Sequence, residues 1–173
     1  MFYIQLERNM TRFKYFIEEN QIYKSNIIYK VLTWDQLSEK INRNWNDLAN
    51  RIKYSNNDNS YYGSEYKKFL VYIAAIYHDK IVGLVKLGVT SGIKEDNMKG
   101  IYYVCVDPEF KQLGIGKALI QKMFELAQIR NYELYMSSYT KDGRSYLGPT
   151  VESMKKKYPD VKVVDSILSD YED

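Results

Sequence analysis

Cysteine and histidine are almost missing from this chain, which has one of each among its 173 residues. The single cysteine, Cys105, excludes a disulfide within the chain and any metal cage built from cysteines. The single histidine, His78, argues against a metal site made of several histidines. We therefore expect no metal, and we expect His78 to lie in a surface turn.

Long apolar stretches are also missing. The longest apolar run, Phe69 to Tyr77, has nine residues, whereas a membrane-spanning helix needs about 20. The N-terminal segment carries Glu7, Arg8 and Arg12 where a signal peptide would have its apolar core. These features predict a soluble protein in the reducing cytoplasm, with no membrane partner.

Neither sign of charge dominates the sequence. Twenty-five Lys and Arg oppose 22 Asp and Glu, which leaves a net charge of +3. So small an excess argues against nucleic acid as the main partner. The basic run 155–157, with Lys141 and Arg144 nearby, is explained more simply as a solvated helix end.

The chain has the size and composition of one globular domain. Apolar residues make up 45% of it and charged residues 27%, and single domains usually have about 100–200 residues. We expect residues 27–173 to form that domain and residues 1–26 to be an N-terminal extension packed on it.

Apolar periodicity predicts an alternation of strands and helices. Residues 27–32 are typical of a strand, and the helix after them has the apolar stripe Trp34, Leu37, Ile41, Trp45, Leu48 and Ile52. Thr33 and Gln36 form a capping-box pattern at its start. Residues 69–77 and 81–89 then predict a hairpin, and residues 53–68 and 90–99 predict loops.

The second half of the chain continues the alternation. Strands are predicted at 101–106, 132–138 and 161–168, and a helix at 117–129 with a buried stripe of Leu119, Ile120, Met123, Phe124, Leu126 and Ala127. Pro149 suits the first turn of a last helix that ends near Tyr158. The predicted order is β-α-β-β-β-α-β-α-β, an α/β fold with a mixed sheet flanked by helices.

The candidate ligand-binding residues lie between the strand end at Asp107-Pro108 and the helix that follows. The loop between them holds Gly114 and Gly116, and glycines allow an anion to approach the backbone N–H groups at a helix start. An ATP-type phosphate loop would need Gly where Lys111 stands and a hydroxyl where Ala118 stands. A dinucleotide loop would need Gly in place of Leu119.

The same residues resemble the signature of the GCN5-related N-acetyltransferase (GNAT) superfamily. In that family a strand ends in V-x-P and is followed by [RQK]-x-x-G-x-[GA] and a helix. Here Val106-Asp107-Pro108 precedes Lys111-Gln112-Leu113-Gly114-Ile115-Gly116. The resemblance implies a central, mostly antiparallel mixed sheet flanked by helices. It also implies direct transfer of an acetyl group from acetyl-CoA to a primary amine.

The resemblance further implies which residues bind acetyl-CoA, the cosubstrate. The backbone of the strand end would pair with the pantetheine arm, and the loop with the helix start would hold the pyrophosphate. These residues are Val104, Cys105, Val106, Lys111, Gln112, Leu113, Gly114, Ile115, Gly116, Lys117 and Ala118. As a small apolar residue in a strand, Cys105 needs no catalytic role.

The catalytic groups are less well defined by the resemblance. The family often uses a tyrosine after the strand predicted at 132–138 to protonate the leaving thiolate, and Tyr146 is the first candidate and Tyr139 the second. With 18 tyrosines in the chain, a tyrosine at such a position is a weak signal. Where the histone-modifying branch places its glutamate base, this chain has Gly100.

Two questions stay open at this point. The acceptor is a small-molecule amine, a protein lysine or a protein N-terminus, and the sequence does not choose among them. The alternative to an enzyme is a catalytically weak or inactive module of the same fold that acts through protein contacts. A homodimer is compatible with the sequence.

Overall fold

The computed structural model describes residues 26–43, 48–50, 70–88, 98–136 and 141–165. The elements in chain order are β1 (Ile27–Leu32), α1 (Trp34–Arg43), β2 (Val71–Tyr77), β3 (Lys80–Gly88), β4 (Met98–Val106), α2 (Ile115–Arg130), β5 (Glu133–Met136), α3 (Lys141–Lys157) and β6 (Val163–Asp165). A 3₁₀ turn, Pro108–Phe110, lies between β4 and α2. The predicted order of strands and helices is confirmed.

The described strands form one six-stranded sheet in the order β1-β2-β3-β4-β5-β6. The pairs from β1 to β4 are antiparallel, and β4-β5 and β5-β6 are parallel. A two-residue turn joins β2 to β3, with φ of 45° at His78 and 66° at Asp79, and such tight turns join antiparallel strands. The helices α2 and α3 supply the crossovers that parallel neighbours need. The mixed, mostly antiparallel sheet is confirmed.

A hydrophobic cluster lies on each face of the sheet. On one face α1 packs Leu37 and Ile41 against Tyr72 of β2 and Leu84 of β3. Leu48 is buried there as well, as the apolar stripe predicts, whereas Trp45 and Ile52 lie outside the described residues. The capping box is confirmed, since the Thr33 N–H donates to Gln36 Oε1 at 3.0 Å and the Gln36 N–H donates to Thr33 Oγ1 at 3.4 Å.

The other face is covered by α2 and α3. Every residue of the stripe predicted for α2 is buried, from Leu119 to Ala127. From α3, Val151 and Met154 join the same cluster. Glu125 of α2 accepts hydrogen bonds from Lys122 at 2.7 Å, from Gln121 at 2.8 Å and from the Tyr158 hydroxyl at 3.3 Å. The bond from Lys122 is the main reason that the pKa of Glu125 is lowered.

The predicted start of α3 is wrong. Pro149 lies inside the helix rather than in its first turn, and the segment from Lys141 to Ser145, which the sequence suggests is a turn, is helical. An internal proline removes one backbone hydrogen bond, but the buried Val151 and Met154 fix the helix against the sheet. Packing therefore outweighs the local preference of proline for a helix start.

Smaller differences occur at strand ends. β4 begins at Met98 rather than at residue 101, so the predicted loop 90–99 ends earlier. Lys99 lies inside that strand and is buried, with its Nζ 5.2 Å from the centre of the Tyr132 ring. In the sequence, a charged residue at position 99 is typical of a loop. In the structure, the Tyr132 ring makes a cation–π contact with the buried Lys99.

Several predictions fall outside the described residues. These include the loop 53–68 and residues 1–25 of the predicted N-terminal extension, so the division of the chain at residue 26 stays a prediction. Among the described residues, none of the helices is both long enough and apolar enough to cross a membrane.

Candidate active site

Among the described residues, strand β4 has two partner strands along its first half and one along its second half. From Met98 to Ile101 it pairs with β5, ending at the pair Ile101 with Met136. From residue 104 to residue 106 it still pairs with β3, where Val104 faces Val85 and Val106 faces Gly83. In the part of the chain that the structure describes, no β5 residue pairs with this second half. The resemblance places the pantetheine arm along this second half of β4, at residues 104–106.

A β-bulge interrupts the pairing of β3 with β4. Lys86 of β3 pairs with Tyr103, but the next residue, Leu87, pairs with Ile101. Tyr102 is therefore the extra residue of a β-bulge, which bends a strand and increases its twist. Within the described ranges, the bulge directly follows the last pair between β4 and β5. The sequence contains no local signal for it.

The segment after β4 is anchored to the β2-β3 hairpin through Asp107, which is only 6% exposed. Its carboxylate accepts a hydrogen bond from the Glu109 N–H at 3.1 Å, and its own N–H donates to the Val82 carbonyl at 2.9 Å. Lys80 Nζ lies 3.7 Å from the same carboxylate. Sequence reasoning missed this anchor, because Lys80 and Val82 are distant from Asp107 along the chain.

An aromatic contact reinforces the anchor. Phe110 is buried with its ring centre 5.4 Å from that of Tyr77, and Lys80 Nζ lies 5.8 Å from the Phe110 ring centre. The turn itself is tied to α1 by an ion pair between Lys40 and Asp79, which lowers the pKa of Asp79 through the hydrogen bond from Lys40. His78 is exposed in this turn, as predicted.

The loop before α2 alternates exposed and buried residues. Leu113 and Ile115 are buried and attach the loop to the core, whereas Lys111, Gln112 and Gly114 are exposed. Gln112 and Gly114 have left-handed backbones, with φ of 65° and 79°. Gly114 is the N-cap of α2 and makes no side-chain capping bond. The first helical bond runs from the Ala118 N–H to the Gly114 carbonyl at 3.0 Å.

This start of α2 is suited to an anion. The first turn contains no acidic residue, and Lys111 and Lys117 are exposed beside it. The N–H groups of a first turn have no partner within the helix, and the helix dipole adds partial positive charge there. The loop predicted from the two glycines thus has the backbone geometry of an anion site.

Gly116 brings the loop, β4 and α3 together. A Cβ placed on Gly116 would lie 3.8 Å from Val106 Cγ2 and 3.8 Å from Leu147 Cδ2. The end of β4, the first turn of α2 and the middle of α3 therefore meet at one place. Tyr146 precedes Leu147 in α3, so its backbone is near this junction, whereas Tyr139 lies outside the described residues.

Two further residues considered in the sequence, Cys105 and Gly100, lie in strand β4. Cys105 is half-buried and packs against the cluster on the α1 face, as a small apolar residue does. Gly100 pairs with Gly88 inside the sheet, so no carboxylate occupies that position of β4. A cavity of about 150 Å³ lies at the far end of α2, next to Asn131 and Lys162, and none of the predicted site residues lines it.

Several solved structures are similar to this chain. An aminoglycoside acetyltransferase from an uncultured soil metagenomic sample is 16% identical and aligns over 86% of this chain and 97% of its own, with a TM-score of 0.52. A ribosomal-protein-alanine N-acetyltransferase from Brucella melitensis biovar Abortus 2308 is 15% identical over 85% of this chain and 97% of its own, with a TM-score of 0.49.

A third structure is the ribosomal-protein-S18-alanine N-acetyltransferase from Escherichia coli. It is 14% identical over 74% of this chain and 76% of its own, with a TM-score of 0.48. At such identities the likeness to the metagenomic enzyme shows the fold alone. No match was found among the curated proteins.

The sequence profile of the Acetyltransferase (GNAT) family matches residues 31–144. That range runs from β1 through the start of α2 into α3, and it covers well over half of the 173 residues. The fold, the loop and the profile agree, and this chain belongs to the GNAT acetyltransferase family.

Proposed function

We propose that this protein transfers the acetyl group of acetyl-CoA directly to a primary amine. The observation that carries the proposal is the start of α2, where an N-cap glycine leaves the first-turn N–H groups without a capping side chain. The start of α2 lies beside residues 104–106 of β4, and among the described residues none from β5 pairs with them. An anion site next to a strand edge fits a cosubstrate with a pyrophosphate and an amide-bearing arm.

The pyrophosphate would lie against residues 111–118. The N–H groups of the first turn of α2 would donate to its oxygens, and the exposed Lys111 and Lys117 would add charge. Gly116 supports this placement, because the surrounding protein leaves ordinary contact distances for a methyl group there. Glycine weakens a helix, so its presence here is best explained by a ligand that approaches the backbone.

The pantetheine arm would pair with the backbone of residues 104–106. Strand edges bind extended ligands through their main-chain N–H and C=O groups. Among the described residues, this stretch of β4 pairs with β3 and with no residue of β5. In this arrangement Cys105 contributes its main chain, and its thiol takes no part in the transfer.

Acetyl-CoA supplies an activated acetyl group as a thioester. The acceptor amine, in its neutral form, forms the new C–N bond as the C–S bond breaks, and its proton leaves to water. We assign Tyr146 to donate a proton to the departing thiolate, with Tyr139 as the second candidate. The backbone position of Tyr146 beside the junction of β4 and α2 supports the first choice.

Thermal unfolding with acetyl-CoA, CoA or ATP tests the cosubstrate. At 100 times its dissociation constant, a ligand of the folded state adds about 2.7 kcal/mol, which raises the melting temperature by about 5–10 °C at this chain length. We expect that shift with both CoA species and not with ATP. No shift with either CoA species would contradict the proposal.

Thiol release from acetyl-CoA then tests the chemistry with four amines: an aminoglycoside, a polyamine, a lysine peptide and a peptide with a free N-terminus. We expect Tyr146→Phe to lower kcat by about 100-fold or more without weakening CoA binding. The control is Tyr158→Phe, because the Tyr158 hydroxyl bonds to Glu125 away from the site. If Tyr146→Phe keeps full activity and Tyr139→Phe does not, the second candidate is the acid.

A further inference from the structure

Gly83 lies in β3, directly under the start of α2 and opposite Val106. A Cβ at this position would lie 2.9 Å from Ile115 Cγ2, 3.0 Å from Leu119 Cδ1 and 3.3 Å from the Cys105 carbonyl oxygen. Its φ is outside the left-handed region in which glycine is needed. Glycine is therefore required here for space and not for backbone conformation.

The three neighbours differ in how far they can yield. Leu119 Cδ1 is the end of a side chain that can rotate. Ile115 Cγ2 is attached to the Cβ of the first residue of α2, in a side chain that is stiff at χ1. The Cys105 carbonyl oxygen belongs to the main chain of β4. A methyl group on Gly83 would thus press on the first turn of α2 and on the end of β4.

These two elements are the two halves of the proposed cosubstrate site. We infer that Gly83 is a positioning residue whose missing side chain sets the spacing between the first turn of α2 and residues 104–106 of β4, and with it the affinity for CoA. Gly83 itself is covered by the helix and touches no ligand. The inference rests on the proposed function, because it concerns the geometry of the same site.

Calorimetric titration of CoA into the Gly83→Ala variant tests the inference. Misplacing donors to a charged pyrophosphate weakens hydrogen bonds that are among the strongest in proteins, so we expect affinity to fall by about tenfold or more. The matched control is Val161→Ala, which removes a buried side chain beside the cavity at the far end of α2. It should lower the melting temperature and leave the CoA affinity unchanged.

A second substitution should repair the first. Ile115→Leu removes the Cγ2 branch at nearly constant volume, so Gly83→Ala combined with Ile115→Leu should bind CoA about as tightly as Ile115→Leu alone. If Gly83→Ala alone does not fold, Gly83→Ala with Leu119→Val keeps the core volume nearly constant and retains the contacts with Ile115 and Cys105. This double variant should bind CoA about tenfold more weakly than Leu119→Val alone.

The outcomes separate the two proposals. If Gly83→Ala folds and binds CoA with unchanged affinity, the role of Gly83 is overturned and the proposed function stands. If Gly83→Ala does not fold, the same conclusion follows when Gly83→Ala with Leu119→Val binds CoA as tightly as Leu119→Val alone. Failure of the unsubstituted chain to bind CoA would overturn both. An equal affinity loss in Val161→Ala would show that affinity follows general stability, and this too would overturn the inference.

Discussion

At the scale of single residues, the two loop glycines are needed for different reasons. Gly114 has a φ of 79°, and a Cβ there would meet nothing within 4 Å, so it is required by backbone conformation. Gly116 lies inside α2, where a Cβ would meet only ordinary contacts at 3.8 Å. The folded protein therefore does not require glycine at position 116, and we attribute it to the ligand.

Replacing Gly116 by alanine should separate stability from binding. Alanine is favoured over glycine in a helix by about 0.5–1 kcal/mol, so Gly116→Ala should raise the free energy of unfolding, measured in urea. The same methyl group would face the pyrophosphate, so CoA affinity measured by calorimetry should fall by about tenfold or more.

Gly114→Ala is the matched comparison. It places a side chain on a left-handed backbone, which costs about 1–2 kcal/mol, so this variant should lose stability. A Gly116→Ala variant that loses stability and binds CoA normally would contradict the account of both positions.

The sequence reveals some of these residues and not others. The loop glycines are visible because their spacing, between a strand end and a helix start, is local. Gly83 and the partners of Asp107 are not, because the atoms that constrain them, in Ile115, Lys80 and Val82, come from distant parts of the chain. Tyr146 stays a prediction, since one tyrosine among 18 carries little information.

At the scale of elements, α3 shows where local preference fails. The position of Pro149 after Gly148 predicts a helix start, but the structure has the helix running from Lys141 to Lys157. The stripes of α1 and α2 are predicted correctly because each has a regular apolar spacing that packing reinforces. In α3 the proline and two glycines interrupt that spacing.

The change in stability caused by Pro149→Ala shows whether α3 begins at Lys141 or at Pro149, because the two cases predict changes of opposite sign. An internal proline costs up to about 3 kcal/mol relative to alanine, so the variant should be more stable, by about 1–3 kcal/mol, in urea unfolding. If the helix instead began at Pro149, removing a favourable first-turn proline would lower stability. A loss of stability would therefore contradict the structure of α3.

The stability that the hydrogen bonds to Glu125 provide should depend on pH. Hydrogen bonds from Lys122, Gln121 and Tyr158 lower the pKa of Glu125 below its usual value of 4.5. A lowered carboxyl pKa contributes stability above the unfolded-state pKa, and this contribution is lost as the pH falls through the folded-state pKa. Glu125→Gln should therefore reduce stability near pH 7 by up to about 1 kcal/mol and flatten its decline in acid.

Melting temperatures measured from pH 7 to pH 3 check this prediction. The control is Glu152→Gln, which removes one carboxylate from an exposed pair with Lys155 within α3. If both variants show the same pH dependence as the unsubstituted protein, the hydrogen bonds to Glu125 add no stability.

At the scale of the whole molecule, the site is a product of topology. The order of elements could be read from the sequence, and it implies that β4 and β5 are parallel neighbours. Two details could not be read: the last pair of β4 and β5 among the described residues, Ile101 with Met136, and the bulge at Tyr102. These features bring the edge of β4 and the start of α2 to one end of the sheet.

The most direct test follows backbone amide signals by NMR while CoA is added to the ¹⁵N-labelled protein. We predict the largest shifts at residues 104–106 and 114–118, because their main-chain N–H groups would bind the arm and the pyrophosphate. Gln128 and Asn131, beside the cavity at the far end of α2, should stay unchanged. Shifts centred on that cavity, or no shifts at millimolar CoA, would contradict the assignment of the cosubstrate site.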